Sequence, residues 1–94
     1  MTIAFDHRIV VSPDVLCRVV GDEAVLLHLS TEQYLGLDPV GTRIWQVLQA
    51  SASIASAFDR LLAEFEVEPE QLRVDLEALL EQLRQQSVIT IEPA

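Results

Sequence analysis

The chain has 94 residues, enough for a single domain over residues 1–94 and too few for two independent hydrophobic cores. Half of the residues are hydrophobic, so the composition argues against disorder. Fifteen acidic residues outnumber six basic ones, all of them arginine, and the formal net charge is -9. Such a surface would repel phosphate groups and anionic lipids, so we expect no nucleic acid and no membrane among its partners.

The N-terminal region and the cysteine content favour a cytoplasmic location. The apolar runs are far shorter than the roughly 20 residues that a membrane-spanning helix needs. Asp6 precedes the first apolar run and no small-residue cleavage site follows it, so a secretory signal peptide is not predicted. Cys17 is the only cysteine, which leaves no partner for an internal disulfide and favours a reducing compartment.

Three extended segments come first along the chain. Val15–Val20 is rich in β-branched residues, and Gly21-Asp22 predicts a tight turn after it. Residues 24–30 then alternate between two faces, as in a second strand. Residues 33–37 follow another polar turn and read as a short third strand. The simplest arrangement is a three-stranded antiparallel meander, which leaves one edge of the third strand unpaired.

The hydrophobic period then changes to that of helices. Asp38 followed by Pro39 predicts the start of a first helix, with a side-chain acceptor at the cap and proline in the first turn. Ser53 is placed to cap a second helix, and Pro69 to begin a third. The apolar stripe of the second helix comprises Ile54, Ala57, Phe58, Leu61, Leu62 and Phe65. Residues 88–91 read as a short closing strand. The predicted fold class is α+β and winged-helix-like, a three-stranded antiparallel meander followed by three helices.

No group of side chains predicts catalysis. His7 and His28 lie far apart and form no metal-ligand pattern with Cys17, and the three glycines are too scattered for a phosphate-binding loop. We predict that the ring of His28 lies at the surface, that Cys17 is a small buried hydrophobe, and that Trp45 belongs to the core. We therefore expect no enzyme, no cofactor and no metal site.

Acidic residues are concentrated between Glu64 and Glu81, where Arg73 is the only basic residue. Two interpretations stay open: these carboxylates serve solubility alone, or they steer a basic segment of a partner towards the protein. Asp75 flanks the leucine stripe of the third helix, so it is either a solvated charge or a groove-side partner for an arginine, lysine or amide.

Residues 32–48 resemble a known family. They contain an aromatic residue in a strand, then Leu-Asp, Val-Gly, two variable residues, Ile-Trp and a leucine. This order is similar to that of the PqqD-like proteins, the precursor-peptide recognition elements of ribosomal peptide-modification pathways. The third-helix pattern of that family resembles Asp75, Leu76, Leu79, Leu80 and Leu83. The stand-alone length and the Tyr-Leu-Gly-Leu strand look most like the leader-binding proteins of lasso-peptide clusters.

Two positions depart from the family pattern. Ser87 stands where a glycine often separates the third helix from the closing hydrophobic residues. Residues 51–54 read Ser-Ala-Ser-Ile in place of the usual Gly-x-x-Thr before the second helix. Both lie at junctions between elements, so they bear on turn geometry more than on membership of the family.

The resemblance implies a binding mode. In the family, the leader of a precursor peptide adds as a strand to the free edge of the third strand, and its side chains enter a groove against the third helix. Gly36 would let another backbone approach closely, and Tyr34 suits a groove wall, although both also fit ordinary strand roles. The predicted peptide-binding residues are Gln33, Tyr34, Leu35, Gly36, Leu37, Leu72, Asp75, Leu76 and Leu79. The implied partners are the leader region of a precursor peptide and a separate modifying enzyme of the protease or cyclase type.

Three functions follow from the sequence. The first is a non-catalytic module that captures a leader peptide and presents it to separate enzymes. The second is an accessory subunit that stabilises a biosynthetic enzyme without touching a peptide. The third is a winged-helix regulator, which the net negative third helix disfavours because a recognition helix should be basic.

Overall fold

The first regular element is a strand that the sequence analysis did not predict. In the computed structural model, which describes residues 3–94, β1 (His7–Val11) pairs antiparallel with β5 (Ile89–Pro93). The predicted closing strand is therefore confirmed as β5, but its partner is β1, not the meander. Ile9 lies opposite Ile91, and both pack against the hydrophobic core.

The predicted meander is confirmed. β2 (Val15–Val20), β3 (Glu23–His28) and β4 (Gln33–Gly36) form an antiparallel sheet in the order β2-β3-β4. Gly21 takes a φ of 66° in the two-residue turn between β2 and β3, a conformation that glycine adopts without steric cost. The turn before β4 closes when the amide of Glu32 donates to the carbonyl of His28, 2.9 Å away.

Two residues on the inner face of the sheet differ from their predicted burial. Ala24 and Leu26 of β3 are buried, and His28 follows them at 7% exposure, so the prediction of a surface ring was wrong. The strand period explains this, because His28 shares its face with the two core residues. Cys17 is exposed, contrary to the prediction. It lies on β2, an edge strand that stays solvent-exposed from Leu16 to Val20.

Helices α1 (Pro39–Ala50) and α2 (Ile54–Glu64) begin at the predicted caps. Oδ1 of Asp38 accepts from the amide of Gly41 at 2.7 Å, and Oγ of Ser53 accepts from the amide of Ser56 at 3.1 Å. Phe65 was expected inside the second helix but forms its C-terminal cap in extended conformation. The helix thus stops one residue short of the end of its apolar stripe.

Helix α3 (Pro69–Gln85) buries one leucine face against the core. Its fully or nearly fully buried residues are Leu72, Leu76, Leu80 and Leu83. The helix ends in a Schellman motif: Ser87 takes a φ of 60°, its amide donates to the carbonyl of Arg84, and the amide of Val88 donates to the carbonyl of Leu83. This explains the first departure from the family pattern, because Ser87 occupies a left-handed position where glycine is favoured.

The sheet and the helices share one hydrophobic core. Trp45 of α1 is 1% exposed, as predicted, and packs in the same cluster as Leu26 of β3 and Leu76 of α3. At the surface, Arg43 of α1 donates through Nε and Nη2 to the two carboxylate oxygens of Glu64 in α2, both at 2.7 Å. This hydrogen-bonded contact lowers the pKa of the Glu64 carboxyl and raises the pKa of Arg43.

Candidate peptide-binding groove

The free edge of β4 presents backbone hydrogen-bonding groups at two residues. The amide of Leu37 donates to the carbonyl of Ala24, 2.8 Å away. Since alternate residues of an antiparallel ladder bond to the same neighbour, Leu35 also turns its polar groups towards β3. The N–H and C=O groups of Tyr34 and Gly36 therefore point away from the sheet. A peptide laid beside β4 would meet two donors and two acceptors there.

One flank of α3 faces this edge, and contacts on the opposite flank identify it. The guanidinium of Arg73 lies 4.5 Å from the ring centroid of Phe5, and Arg84 lines a cavity with the β1–β2 turn. Because residues three and four apart share a helix face, that flank belongs to the β1 side. The flank on the other side of the leucine face comprises Asp75, Leu79, Gln82 and Gln86. We call the space between β4 and this flank the β4–α3 groove.

An open depression marks one end of the β4–α3 groove. It has a volume of about 550 Å³, and Gln86 from the end of α3 lines it together with Glu32, Gln33 and Tyr34. Tyr34 is 76% exposed, so its ring stands free for contact with another molecule. Glu32 reaches this position because it adopts a left-handed backbone conformation, φ 59°, that reverses the chain into β4.

Eight of the nine predicted peptide-binding residues divide into three groups, and Asp75 is the ninth. Gln33, Tyr34 and Gly36 are exposed on β4, whereas Leu35 of β4 and Leu79 of α3 are half-buried against the core. Asp75 is exposed, and its Oδ1 accepts from Nε2 of Gln71 at 2.9 Å. Leu37, Leu72 and Leu76 are buried in the core. The last group supports the walls of the β4–α3 groove from behind, so only the first two groups and Asp75 offer surface to a ligand.

Gly36 is a regularly paired residue of β4 and does not form a bulge. It lies within β4 in register with Val25, and a Cβ built on it would meet no heavy atom within 4 Å. Because Leu35 points inward, a side chain at residue 36 would point to the outer face of the sheet, away from α3. The contribution of Gly36 to a bound strand would therefore come from its backbone groups.

Three residues of the site were missed by sequence reasoning. Gln82 and Gln86 gave no hydrophobic signal; the α3 flank assigns Gln82 to the groove, and the open depression that Gln86 lines assigns Gln86 to it. Thr42 is 3% exposed in α1; its Oγ1 accepts from the amide of Ala24 at 2.8 Å and donates to the carbonyl of Leu37 at 3.3 Å. It thereby fixes the end of β4 to α1 and β3. Its place two residues after Val40 inside the Val-Gly-x-x-Ile-Trp block was the only available signal.

The charges around the groove are acidic. Glu32 lies at the open depression and Asp75 on the α3 flank, and the four residues that line the depression include no arginine. Arg73 and Arg84 lie on the opposite flank, where they pair with Glu77 at 3.1 Å and with Glu81 at 2.8 Å. The contact with Arg84 lowers the pKa of the Glu81 carboxyl. An incoming segment would thus meet uncompensated carboxylates on the groove side.

Two searches over residues 3–94 gave negative findings. No group of three or more histidine, cysteine, aspartate or glutamate side chains within those residues is arranged to hold a metal ion. No helix of the same region is long and apolar enough to cross a membrane.

Comparison with solved structures places this geometry in a known fold. The structure of TbiB1 in complex with the TbiA(beta) leader peptide matches with a TM-score of 0.78 and 35% sequence identity, over 84% of this chain and 92% of that one. A lasso peptide synthetase B1 complexed with the leader peptide matches with the same TM-score of 0.78, over 88% of this chain and 98% of that one. Its identity of 24% makes it a likeness of fold alone.

Sequence comparison gives the family. No match was found among curated protein sequences. Residues 23–89 match the sequence profile of the family described as Coenzyme PQQ synthesis protein D (PqqD). This span runs from the start of β3 to the start of β5 and thus contains the β4 edge and all of α3. The match covers well over half of the 94 residues, and the chain therefore belongs to the PqqD family.

Proposed function

We propose that this protein is a non-catalytic module that binds the leader segment of a ribosomally made precursor peptide and presents it to separate modifying enzymes. The observation that carries the proposal is the pair of residues Tyr34 and Gly36, whose outward backbone groups lie beside the α3 flank. A strand that pairs with β4 would gain main-chain hydrogen bonds from the edge and side-chain contacts from the helix. The similar TbiB1 was solved with a leader peptide.

The groove selects for a particular kind of peptide. Alternate side chains of an added strand would point inward, where half-buried Leu35 and Leu79 offer apolar contact. The remaining side chains would lie on the outer face, beside Tyr34. Glu32 and Asp75 favour a basic or amide-bearing segment at the groove. We therefore expect the bound segment to alternate apolar residues with polar ones and to carry no excess of acidic residues.

A titration of the labelled protein with the leader of the precursor tests this function. Backbone amide shifts should concentrate at residues 33–37 and along the α3 flank between Asp75 and Gln86. The amides of Tyr34 and Gly36 should also lose solvent exchange, because the added strand accepts from them. Val15–Val20 of β2 provides an internal reference that should shift little. Shifts confined to β2, or the absence of binding at millimolar peptide, would contradict the proposal.

A further inference from the structure

The open depression at the end of the β4–α3 groove combines side chains that suit a cation. Glu32 supplies a carboxylate, Tyr34 supplies an aromatic ring, and Gln33 and Gln86 supply amide oxygens. A carboxylate pairs with ammonium or guanidinium groups, the face of an aromatic ring attracts them, and amide oxygens accept their hydrogen bonds. The lining residues that the structure describes bring these groups together without a basic side chain of their own.

The carboxylate of Glu32 is unpaired in the part of the chain that the structure describes. The ion pairs found there involve other acidic residues, and three of the arginines are taken up by them. The backbone amide of Glu32 is already used, because it donates to the carbonyl of His28 at 2.9 Å. The ring of Tyr34 next to it is 76% exposed. Carboxylate and ring are therefore both available to a ligand.

The backbone of Glu32 provides a separate argument. Its φ of 59° lies in the left-handed region, which favours glycine, asparagine and aspartate and is unfavourable for a longer side chain. Asparagine would make the same turn with less strain. Strained residues of this kind cluster at binding sites, where the side chain they carry serves function. A glutamate at this turn thus lowers the stability of the fold while it places a carboxylate at the depression.

The register of an added strand gives the position of the cation in the peptide. Residues directly opposite each other in a ladder share a face of the sheet, so the inward apolar residue of the peptide lies opposite Leu35. The following positions towards the start of β4 lie opposite Tyr34, Gln33 and Glu32, at about 3.3 Å per residue. The side chain that reaches the depression therefore lies two or three positions from the inward apolar residue.

We propose that the open depression is a subsite that binds one basic side chain of the leader, with Glu32 as its ion-pair partner and the ring of Tyr34 as its cation–π contact. This inference rests on the proposed leader-binding function and names the class of residue that one position of the leader must carry. An acidic side chain there would be repelled by Glu32 and by a chain with a net charge of -9. An apolar one would cover the carboxylate without replacing its hydration.

A double-mutant cycle between the protein and the synthetic leader of the precursor tests the subsite. Each arginine or lysine of the leader is replaced in turn by glutamine, and the Kd is measured with the unchanged protein and with Glu32→Gln. One leader substitution, two or three positions from the inward apolar residue, should weaken binding to the unchanged protein about three- to tenfold. The same substitution should weaken binding to Glu32→Gln by about twofold or less, because the partner charge is already missing.

Two further variants separate binding from folding and from net charge. Glu32→Asn should weaken leader binding as Glu32→Gln does, yet raise the thermal midpoint by about 2–6 °C, because asparagine tolerates the left-handed conformation. Glu23→Gln removes an exposed carboxylate at the start of β3, outside the depression, and should bind the leader normally.

The possible failures are distinguishable. A leader that does not bind the unchanged chain would contradict the proposed function itself. Normal leader binding that is equally strong in Glu32→Gln, or equally weakened in Glu32→Gln and Glu23→Gln, would overturn only the subsite. A tightly bound leader without a basic residue at the expected position would do the same. A Glu32→Asn variant that melts no higher than the unchanged protein would overturn the inference that Glu32 lowers the stability of the fold.

Discussion

The meander has two free edges, β2 and β4, and they differ in what stands beside them. The amide of Leu29 donates to the carbonyl of Asp14 at 2.9 Å, so by alternation the backbone groups of Val15, Cys17 and Val19 in β2 point away from β3. The amide of Val15 already donates to the carbonyl of Ser12 at 3.2 Å. Each edge thus offers two outward amides, those of Cys17 and Val19 on β2 and those of Tyr34 and Gly36 on β4. Only the β4 edge faces a helix flank, because residues around Cys17 and Val19 are exposed on both faces.

Both edges can pair with an added strand through backbone hydrogen bonds, but only the edge beside a helix flank can recognise a particular side-chain sequence. Main-chain hydrogen bonds are the same for every sequence, so an edge alone binds any extended chain weakly and without selection. The α3 flank adds apolar and polar side chains within reach of one face of an added strand. We infer that β4 recognises a particular peptide and that β2, with the same backbone chemistry, does not.

The largest expected effect comes from removing one outward donor. Gly36→Pro deletes an N–H that β3 does not use, and proline is tolerated at such an edge position. The carbonyl of the bound peptide would lose its partner, so leader affinity should fall about 10–100-fold, or roughly 1.4–2.7 kcal/mol. Isothermal titration of the leader measures this, with a thermal melt to verify the fold.

Two control variants sharpen the comparison between the edges. Val19→Pro deletes the equivalent donor on β2 and should leave leader affinity unchanged. Gly36→Ala keeps the N–H and places a methyl group in open space, so it should bind normally. Equal losses for Gly36→Pro and Val19→Pro would show that the two edges do not differ in recognition.

The second prediction concerns the anchor of the β4 edge. Thr42→Val removes the acceptor of the Ala24 amide and the donor to the Leu37 carbonyl, both in a buried setting. The free energy of unfolding should fall by about 1–2 kcal/mol, because an unsatisfied buried amide carries that cost. Urea denaturation measures the change. Thr90→Val on exposed β5 is the control. If Thr90→Val lowered the free energy of unfolding as much as Thr42→Val does, the effect would not be specific to the buried Thr42 hydroxyl.

The third prediction stabilises the end of α3 that borders the groove. Ser87→Gly relieves a left-handed serine in the Schellman motif and should raise the free energy of unfolding by about 0.5–1 kcal/mol. Ser87→Ala keeps the steric cost and should give no such gain. Denaturant midpoints of the two variants provide the measurement. A Ser87→Gly variant no more stable than the unchanged protein would mean that the serine hydroxyl offsets the strain.

The smallest expected effect is electrostatic. If Glu32 and Asp75 steer a basic leader segment, leader affinity should fall severalfold between 50 and 300 mM salt, because screening acts over roughly 8–10 Å at intermediate ionic strength. Asp75→Asn should flatten this dependence, whereas Glu92→Gln on β5 should not. Leader affinity that stays constant with salt concentration would mean that these carboxylates contribute only to solubility.

Local chemistry made much of the fold predictable. The Gly21-Asp22 turn, the Asp38-Pro39 helix start and the Ser53 cap each depend on residues adjacent in sequence, and each is confirmed. The free edge on the third strand followed from the order of the meander alone. Residues 32–48 also sufficed to suggest the family to which the chain belongs.

Only the tertiary structure decided the remaining features, because they depend on partners distant in sequence. β1 was missed since it becomes a strand by pairing with β5 at the other end of the chain. The burial of His28 and the exposure of Cys17 depend on which parts of the sheet the helices cover. Which flank of α3 faces β4 could not be read from a helix that is polar on both sides of its leucine stripe. The contact of Arg73 with Phe5 decides it, together with the depression that Gln86 lines with the β4 end, and these two observations fix the position of the groove.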